Sequence, residues 1–264
     1  IDNMNEAYDV NMKHYRLKKL KTNSRFVFQK LDIAEKHSIL SIDGKYDGII
    51  NLAARAGVRS SIEDPWEYVN TNMIGTLNLL ELARRSKIPK FVLASTSSLY
   101  GNEALYPTPE TSCSDTPLQP YAASKKGAEA MCHAYHYLYD IDVSIVRYFT
   151  VYGPAGRPDM VMFRFAQWIS ESQPLRVNGD GTQTRGFTYI DDIARGTILA
   201  LKPMGYEIIN LGGHEIMSVN ELISKLEDKI GRKAIINHYP MHKADMVASQ
   251  ADVSKARKIL GWSP

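Results

Sequence analysis

Two cysteines in 264 residues, Cys113 and Cys132, give no disulfide framework and no paired spacing from which a metal site is built. So few thiols suit a reducing compartment, and the expected location is the cytoplasm. No apolar run approaches the ~20 residues that a helix needs to cross a bilayer, and no segment reads as a secretory signal. Charge of one sign is equally scarce. The 32 Lys and Arg against 29 Asp and Glu leave a net +3, too little to mark a nucleic-acid binder. The one basic run, Lys13 to Arg25, alternates with Tyr8, Met12, Tyr15 and Leu20, so it reads as the wet face of a helix. Internal repeats and low-complexity stretches are missing as well, which leaves an ordinary globular chain, 44% hydrophobic and 23% charged.

What is present is a rhythm. Phe26–Phe28 running into Leu31-Asp32-Ile33, Gly48–Leu52, Phe91–Ser95, Val143–Tyr148, Phe187–Ile190 and Glu207–Leu211 are short apolar runs, as expected of parallel strands covered on both faces. Helical patterns separate them. Asp64-Pro65 caps and opens one, in which Trp66, Val69, Asn70, Met73, Leu77 and Leu80 recur at helical period and predict one buried stripe. A second surrounds Tyr121, a third runs from Met160 to Glu171 and a fourth from Asp192 to Leu201. Ser218 with Glu221 is a capping box for another. Strands alternating with helices predict an α/β fold with a doubly wound, Rossmann-like parallel sheet. After Tyr152 the pattern loosens, so the expected division is 1–152 plus 187–213 for the sheet domain and 153–186 plus 214–264 for a smaller α/β lobe.

Tyr121-Ala122-Ala123-Ser124-Lys125 is the stretch most suggestive of chemistry. A Tyr and a Lys four apart on a helix share one face. A phenol ionises near pH ~10, and a fixed ammonium beside it favours the phenolate, which could then take a proton from a sugar or alcohol hydroxyl. The same spacing also serves plain packing, so the surroundings decide. Ligands of open α/β sheets sit beyond the carboxyl ends of the strands. Those ends carry Asp2-Asn3, Asp32-Ile33, Leu52-Ala53-Ala54, Thr96-Ser97-Ser98 and Tyr148-Phe149-Thr150. An acidic residue at the first position can accept both ribose hydroxyls of an adenosine and repels a 2′-phosphate, which favours NAD over NADP.

With these residues in this order, nearly the whole chain resembles the extended short-chain dehydrogenase/reductase family, the NAD-dependent nucleotide-sugar epimerases and dehydratases. The resemblance implies that Thr96 hydrogen-bonds the reacting sugar oxygen, that Tyr121 is the acid/base, and that Lys125 is its electrostatic partner and holds the nicotinamide ribose. It places Asp2, Asn3, Asp32, Ile33, Leu52, Ala53, Ala54, Asn72, Tyr121, Lys125 and Tyr148 against NAD. Thr150, Arg185 and Asp245 fall at the nucleotide diphosphate of a UDP-sugar substrate. Relatives pair the helices around Trp66–Leu82 and Tyr121–Tyr137 across a homodimer. The family's glycine-rich pyrophosphate loop, which would precede Asp2, is not in this sequence. The chain therefore reads as cut at both ends, and its own NAD binding is expected to be weak. Asn51 stands where many relatives carry His.

Within the family, Ile1–Val10, Ala56–Glu63 and Thr150–Met160 are similar to UDP-glucuronate 4-epimerases, and Arg157 lies in the longest of these stretches. Relatives that dehydrate a keto sugar place an Asp-Glu pair after the Thr, and those that decarboxylate a glucuronate carry a Glu in this loop. Positions 97 and 98 here are serines, which offer no acid for either task. The implied course is loss of the C4 proton to Tyr121 as hydride passes to NAD, turning of the 4-keto sugar about its phosphate link, and return of hydride to the other face. For a uronic acid the intermediate is a β-keto acid. Hydroxyls of Thr96, Ser97 and Ser98, with Arg59, would hold its carboxylate out of line with the carbonyl π system. Each such charge-assisted bond contributes ~1.5–3 kcal/mol. Ser97→Ala in an active enzyme is accordingly expected to leak UDP-pentose, and an unchanged product ratio by mass spectrometry would count against this. Epimerisation of UDP-glucose or a UDP-N-acetylhexosamine, and a catalytically silent nucleotide-binding member, are the alternatives.

Overall fold

Residues 90–96 and 142–148 carry the apolar stretches Phe91–Ala94 and Ile145–Val146, and in the computed structural model, which describes residues 1–102 and 104–264, they are the centre of the sheet. β1 (Ile49–Asn51), β2 (Lys90–Thr96), β3 (Asp142–Tyr148) and β7 (Tyr206–Leu211) pair in parallel in the order β1-β2-β3-β7. β2 is buried along its whole length, as a strand covered on both faces must be. On one side lie α2 (Lys36–Leu40), α5 (Gly75–Arg85) and α6 (Pro120–Tyr139), packed through Ile39, Leu80, Phe91, Leu93 and Ile145. On the other, α8 (Ile190–Leu199) and α10 (Ser254–Leu260) pack through Val92, Val146, Ile209 and Trp262. This two-sided cover is the doubly wound arrangement expected from the rhythm of the sequence.

A smaller sheet stands beyond the carboxyl ends of these strands. β4 (Thr150–Tyr152) and β10 (Ala248–Ser249) flank β6 (Thr184–Tyr189) in parallel, and β8 (Glu215–Ser218) pairs β6 antiparallel. β5 (Leu175–Asn178) pairs β9 (Ile236–Tyr239). The cluster of Phe165, Ile169, Leu175, Leu222 and Ile223 joins α7 (Val161–Ser170) to α9 (Val219–Ile230), whose capping box Ser218–Glu221 forms as anticipated. The expected lobe boundaries shift accordingly. Residues 150–152 and 187–189 were assigned to the large sheet, yet both pair within the small one, because the chain crosses between sheets at Phe149.

Three local expectations are corrected. Phe26–Phe28 forms no strand; the contact there is a single parallel bridge, Asp2 with Lys30. The helix after Asp64 does not run in one phase. It starts as α4 (Pro65–Tyr68), passes through a π-helical stretch over Val69–Ile74 and continues as α5. Bonds to i+5 rotate the face relative to a 3.6-residue period. Tyr68, Asn72, Thr76 and Leu79 are therefore buried, while Trp66 is 82% exposed. In α1 (Val10–Leu20), Lys13 points inward to Asn5 Oδ1 at 2.9 Å, and Tyr15 and Leu20 face water. A polar partner inside outweighed the apolar stripe.

Candidate active site

The π-helical turn fixes the floor of the site. Asn72, buried inside it, accepts from Arg55 N at 2.8 Å and donates to Arg55 O at 3.0 Å and Ser124 Oγ at 2.9 Å. It braces the loop after β1 against α6. Both polar atoms of the amide are engaged within the protein, so Asn72, expected to touch the cofactor, holds the loop after β1 in place.

That loop walls a cavity of about 350 Å³, within the range of small-molecule sites. Asp2, Asn3, Asp32, Ile33, Leu52, Ala53 and Ala54 line it together, joined by Tyr68, Arg157 and Asp159. Asn3 Nδ2 donates to Asp32 Oδ2 at 2.7 Å, which fixes both side chains at the rim. The Asp2 carboxylate is half open, 3.6 Å from Lys13 Nζ and bonded to the Met4 amide. A free carboxylate edge, a fixed Asn–Asp pair and small apolar residues suit an adenosine with its ribose. Tyr148 is not part of this wall. Its hydroxyl bonds Thr197 Oγ1 at 2.7 Å within the core beneath the sheet, and burial pushes it up to about 12.

The Tyr121 ring, at the start of α6, meets the ring of the cavity-lining Tyr68 edge to face, with centroids 6.2 Å apart. Burial raises the Tyr121 phenol above its ordinary value, and the neighbouring Thr96 hydroxyl and the positive charge of Arg157 pull it back. Lys125 does not act as the spacing suggested. Its ammonium, inside the core, donates to Ala94 O at 2.8 Å, and burial holds it down to about 8. A desolvated ammonium takes the strongest acceptor in reach, and a backbone carbonyl at the end of β2 is one. The cation whose charge falls on the phenol is Arg157.

Arg157 stands where it does because its loop is closely packed. A Cβ on Gly156 would lie 2.3 Å from the Phe163 ring, and Gly153, at φ +150°, would meet Ile190 at 2.3 Å. Arg16 Nη2 donates to Gly156 O at 2.8 Å, which ties α1 to this loop. The guanidinium itself forks onto Asp159 at 3.0 and 2.9 Å. The hydroxyl loop opposite is just as fixed. Thr96 Oγ1 accepts from Ser98 N at 3.2 Å, starting a tight turn over Ser97–Tyr100, and Ser97 Oγ lies 3.4 Å from Ser249 Oγ of β10.

A second cavity, of about 460 Å³, adjoins the first at Ser60 and Asp159. Arg185 and Asp245, expected at the diphosphate, line it, and so does Arg59, expected instead beside the hydroxyls of Thr96, Ser97 and Ser98, none of which lines this cavity. Arg164 and Arg176, which the sequence reading passed over, line it too. Arg59 Nη2 donates to Asp245 Oδ2 at 2.6 Å, across 186 residues. Arg185 is held by the carbonyls of Thr184 and Met246 at 2.7 and 2.8 Å, and burial lowers its pKa. Four guanidinium groups around one hollow favour a multiply charged anion. Arg176 had a signal: it is the polar residue of the alternating run Leu175-Arg176-Val177. Arg164 had none, since its place depends on how α7 packs on α9. Thr150, also expected at the diphosphate, opens β4 and lines neither cavity. Among the described residues no cluster of His, Cys, Asp and Glu could hold a metal ion, and no helix is long and apolar enough to cross a membrane.

Residues 4–212 match the model of the NAD dependent epimerase/dehydratase family. The UDP-glucuronate 4-epimerase of Thermodesulfobacterium geofontis (strain OPF15) is 55% identical over 267 residues, covering 100% of this chain and 82% of that protein. The crystal structure of UDP-glucuronic acid 4-epimerase from Bacillus cereus in complex with UDP-glucuronic acid and NAD is 39% identical and superposes with a TM-score of 0.90, covering 100% of this chain and 84% of that one. UDP-glucose 4-epimerase from Thermotoga maritima with UDP-glucose is 29% identical with a TM-score of 0.89, over the same shares.

Proposed function

Because the chain belongs to the NAD dependent epimerase/dehydratase family, we propose that its reaction is the NAD-dependent inversion of UDP-glucuronate at C4, giving UDP-galacturonate. The observation that carries this reading is the Tyr121 phenol beside the Thr96 hydroxyl, with serines, not acids, at the two positions after Thr96. Such a site can move a hydroxyl proton at C4 and has no group to expel the C6 substituent. The arginine-lined cavity takes the diphosphate, and the first cavity takes NAD, with Asp2, Asn3 and Asp32 at the adenosine. NAD, when bound, supplies a reversible two-electron acceptor for C4. Tyr121 Oη removes the proton from the C4 hydroxyl and later returns it. Thr96 holds the same oxygen in line, and Arg157 favours the charged phenolate as the proton arrives and leaves. Lys125, drawn to Ala94, fixes the end of β2 beneath the cofactor ribose. The Ser97–Ser249 pair lies where the uronic carboxylate needs donors.

The helix pair of α4–α5 and α6 leaves Trp66, Val69, Ile74, Tyr137 and Leu138 exposed. So many apolar side chains along two neighbouring helices support burial against a second copy of the chain. Cys113 and Cys132 are both free thiols, which supports a cytoplasmic location. In the test, purified enzyme with NAD is given UDP-glucuronate, UDP-glucose and UDP-N-acetylglucosamine in parallel, and products are separated by chromatography. UDP-galacturonate should form fastest, from a species that light scattering sizes at twice the chain mass. Preferred turnover of a neutral sugar would replace this reading with that of a UDP-hexose epimerase, and no turnover of any sugar would leave a silent binder.

A further inference from the structure

Tyr121, Lys125 and Glu129 follow one another at four-residue steps along α6 and form one column. The proposed reaction makes no use of the third. Glu129 is 2% exposed, and its partners account for a carboxylate at that depth. Oε1 accepts from Ser95 Oγ at 2.6 Å and Arg147 Nε at 2.9 Å, and Oε2 accepts from Arg147 Nη2 at 2.7 Å. One side chain thus joins α6 to β3 and to the residue before Thr96. Arg147 in turn lies 4.9 Å over the Tyr100 ring, at the far end of the hydroxyl turn.

The charges here do not balance. Lys125 and Arg147 are buried beside a single anion, with exposures of 3% and 1%. Arg147 Nη1 has no partner, and Lys125 donates only to a neutral carbonyl. The other titratable groups on this helix near Lys125, Tyr121 and Cys132, are both raised by burial and uncharged at neutral pH. Among the described residues, Glu129 is the anion that faces this group.

We propose that Glu129 is a positioning residue for Lys125, the shared counter-charge that keeps the lysine ionised and, through Arg147 and Ser95, locks the Thr96 strand end to the Tyr121 helix. This deepens the reading of Lys125 as part of the site and rests on it for its bearing on catalysis. The sign of the effect is fixed by Coulomb's law. Burial lowers the ammonium to about 8, and the Glu129 carboxylate already raises it toward that value. Without the carboxylate, Lys125 loses the counter-charge that raises it and titrates lower still. Without the guanidinium, it has the carboxylate to itself and titrates higher.

The test follows the Cε resonance of Lys125 by NMR on protein carrying ¹³C-lysine, assigned by its loss in Lys125→Met. The expected midpoint is about 8 in the unaltered protein. Glu129→Gln should drop it by at least about one pH unit, and Arg147→Met should raise it. The double variant Glu129→Gln/Arg147→Met should return it toward the starting value. With cofactor and substrate added, the alkaline limb of kcat should move the same way as the midpoint in each variant. A merely structural pair would shift both single variants in one direction or leave the midpoint in place, and either result overturns the proposal. Should Glu129→Gln not fold, Arg147→Met decides alone: a rise supports the proposal and its absence overturns it. The titration needs no substrate. Absence of epimerase activity with the expected midpoints sinks the functional reading only, whereas active enzyme with immobile midpoints sinks this inference only.

Discussion

Tyr121→Phe lowers kcat for UDP-glucuronate epimerisation by about 10²–10⁴-fold, the contribution typical of one positioned proton-transfer group. The expected KM stays within about threefold, since a hydroxyl that acts on the C4 proton strengthens its interaction in the transition state rather than in the bound substrate. The ring contributes more than the hydroxyl to the architecture: its edge packs on Tyr68 at 6.2 Å, and phenylalanine keeps that contact. The fold should survive, with an unfolding midpoint near that of the parent. Initial rates by chromatography of the two UDP-uronates check the result. A variant retaining more than about a tenth of kcat would move the acid/base role elsewhere, with Arg157 and Thr96 then left serving only to place the sugar.

Arg147→Met is expected to destabilise the protein by about 3–5 kcal/mol, the cost of removing one partner from a buried ion pair. The physical reason is the charge left behind. Glu129 loses both guanidinium bonds and keeps only the Ser95 hydroxyl, in surroundings without water to replace them. The Arg147 stem would be replaced by methionine of similar reach, so little of the loss comes from packing. Replacing both members, as in Glu129→Gln/Arg147→Met, removes both charges together. It should recover most of the stability, because desolvation had offset much of the Coulombic gain. Urea unfolding of the two variants measures the difference directly. Equal destabilisation of single and double variants would show that shape, not charge, is what the site requires.

Much of the fold could be read from the letters. Val143–Tyr148 and Phe91–Ser95 are mostly apolar, as strands covered on both faces tend to be, and they became the centre of the sheet. Asp64-Pro65 and Ser218–Glu221 capped helices as their side chains dictate. Misreadings fell where distant segments meet. The phase of the helix after Asp64 depended on Asn72 reaching Arg55 and Ser124, partners 17 and 52 residues away. No period measured within the helix contains that information. Lys13 turned inward because Asn5 waits there, and β4 left the large sheet because β6 pairs with it.

The candidate site divides in the same manner. Asp2, Asn3, Asp32 and Ala53 share one cavity and Arg185 and Asp245 another, whereas Arg59, expected with the hydroxyls after β2, joins the second. By itself the sequence determined which chemical groups stand at the strand ends, because hydrophobic alternation sets where each strand stops and the next residues must then face the ligand side. The direction of each charge was decided only by tertiary structure. Lys125 turned to the Ala94 carbonyl, Arg157 to Asp159 and Glu129 to Arg147, since an ion goes to whatever partner folding brings within reach.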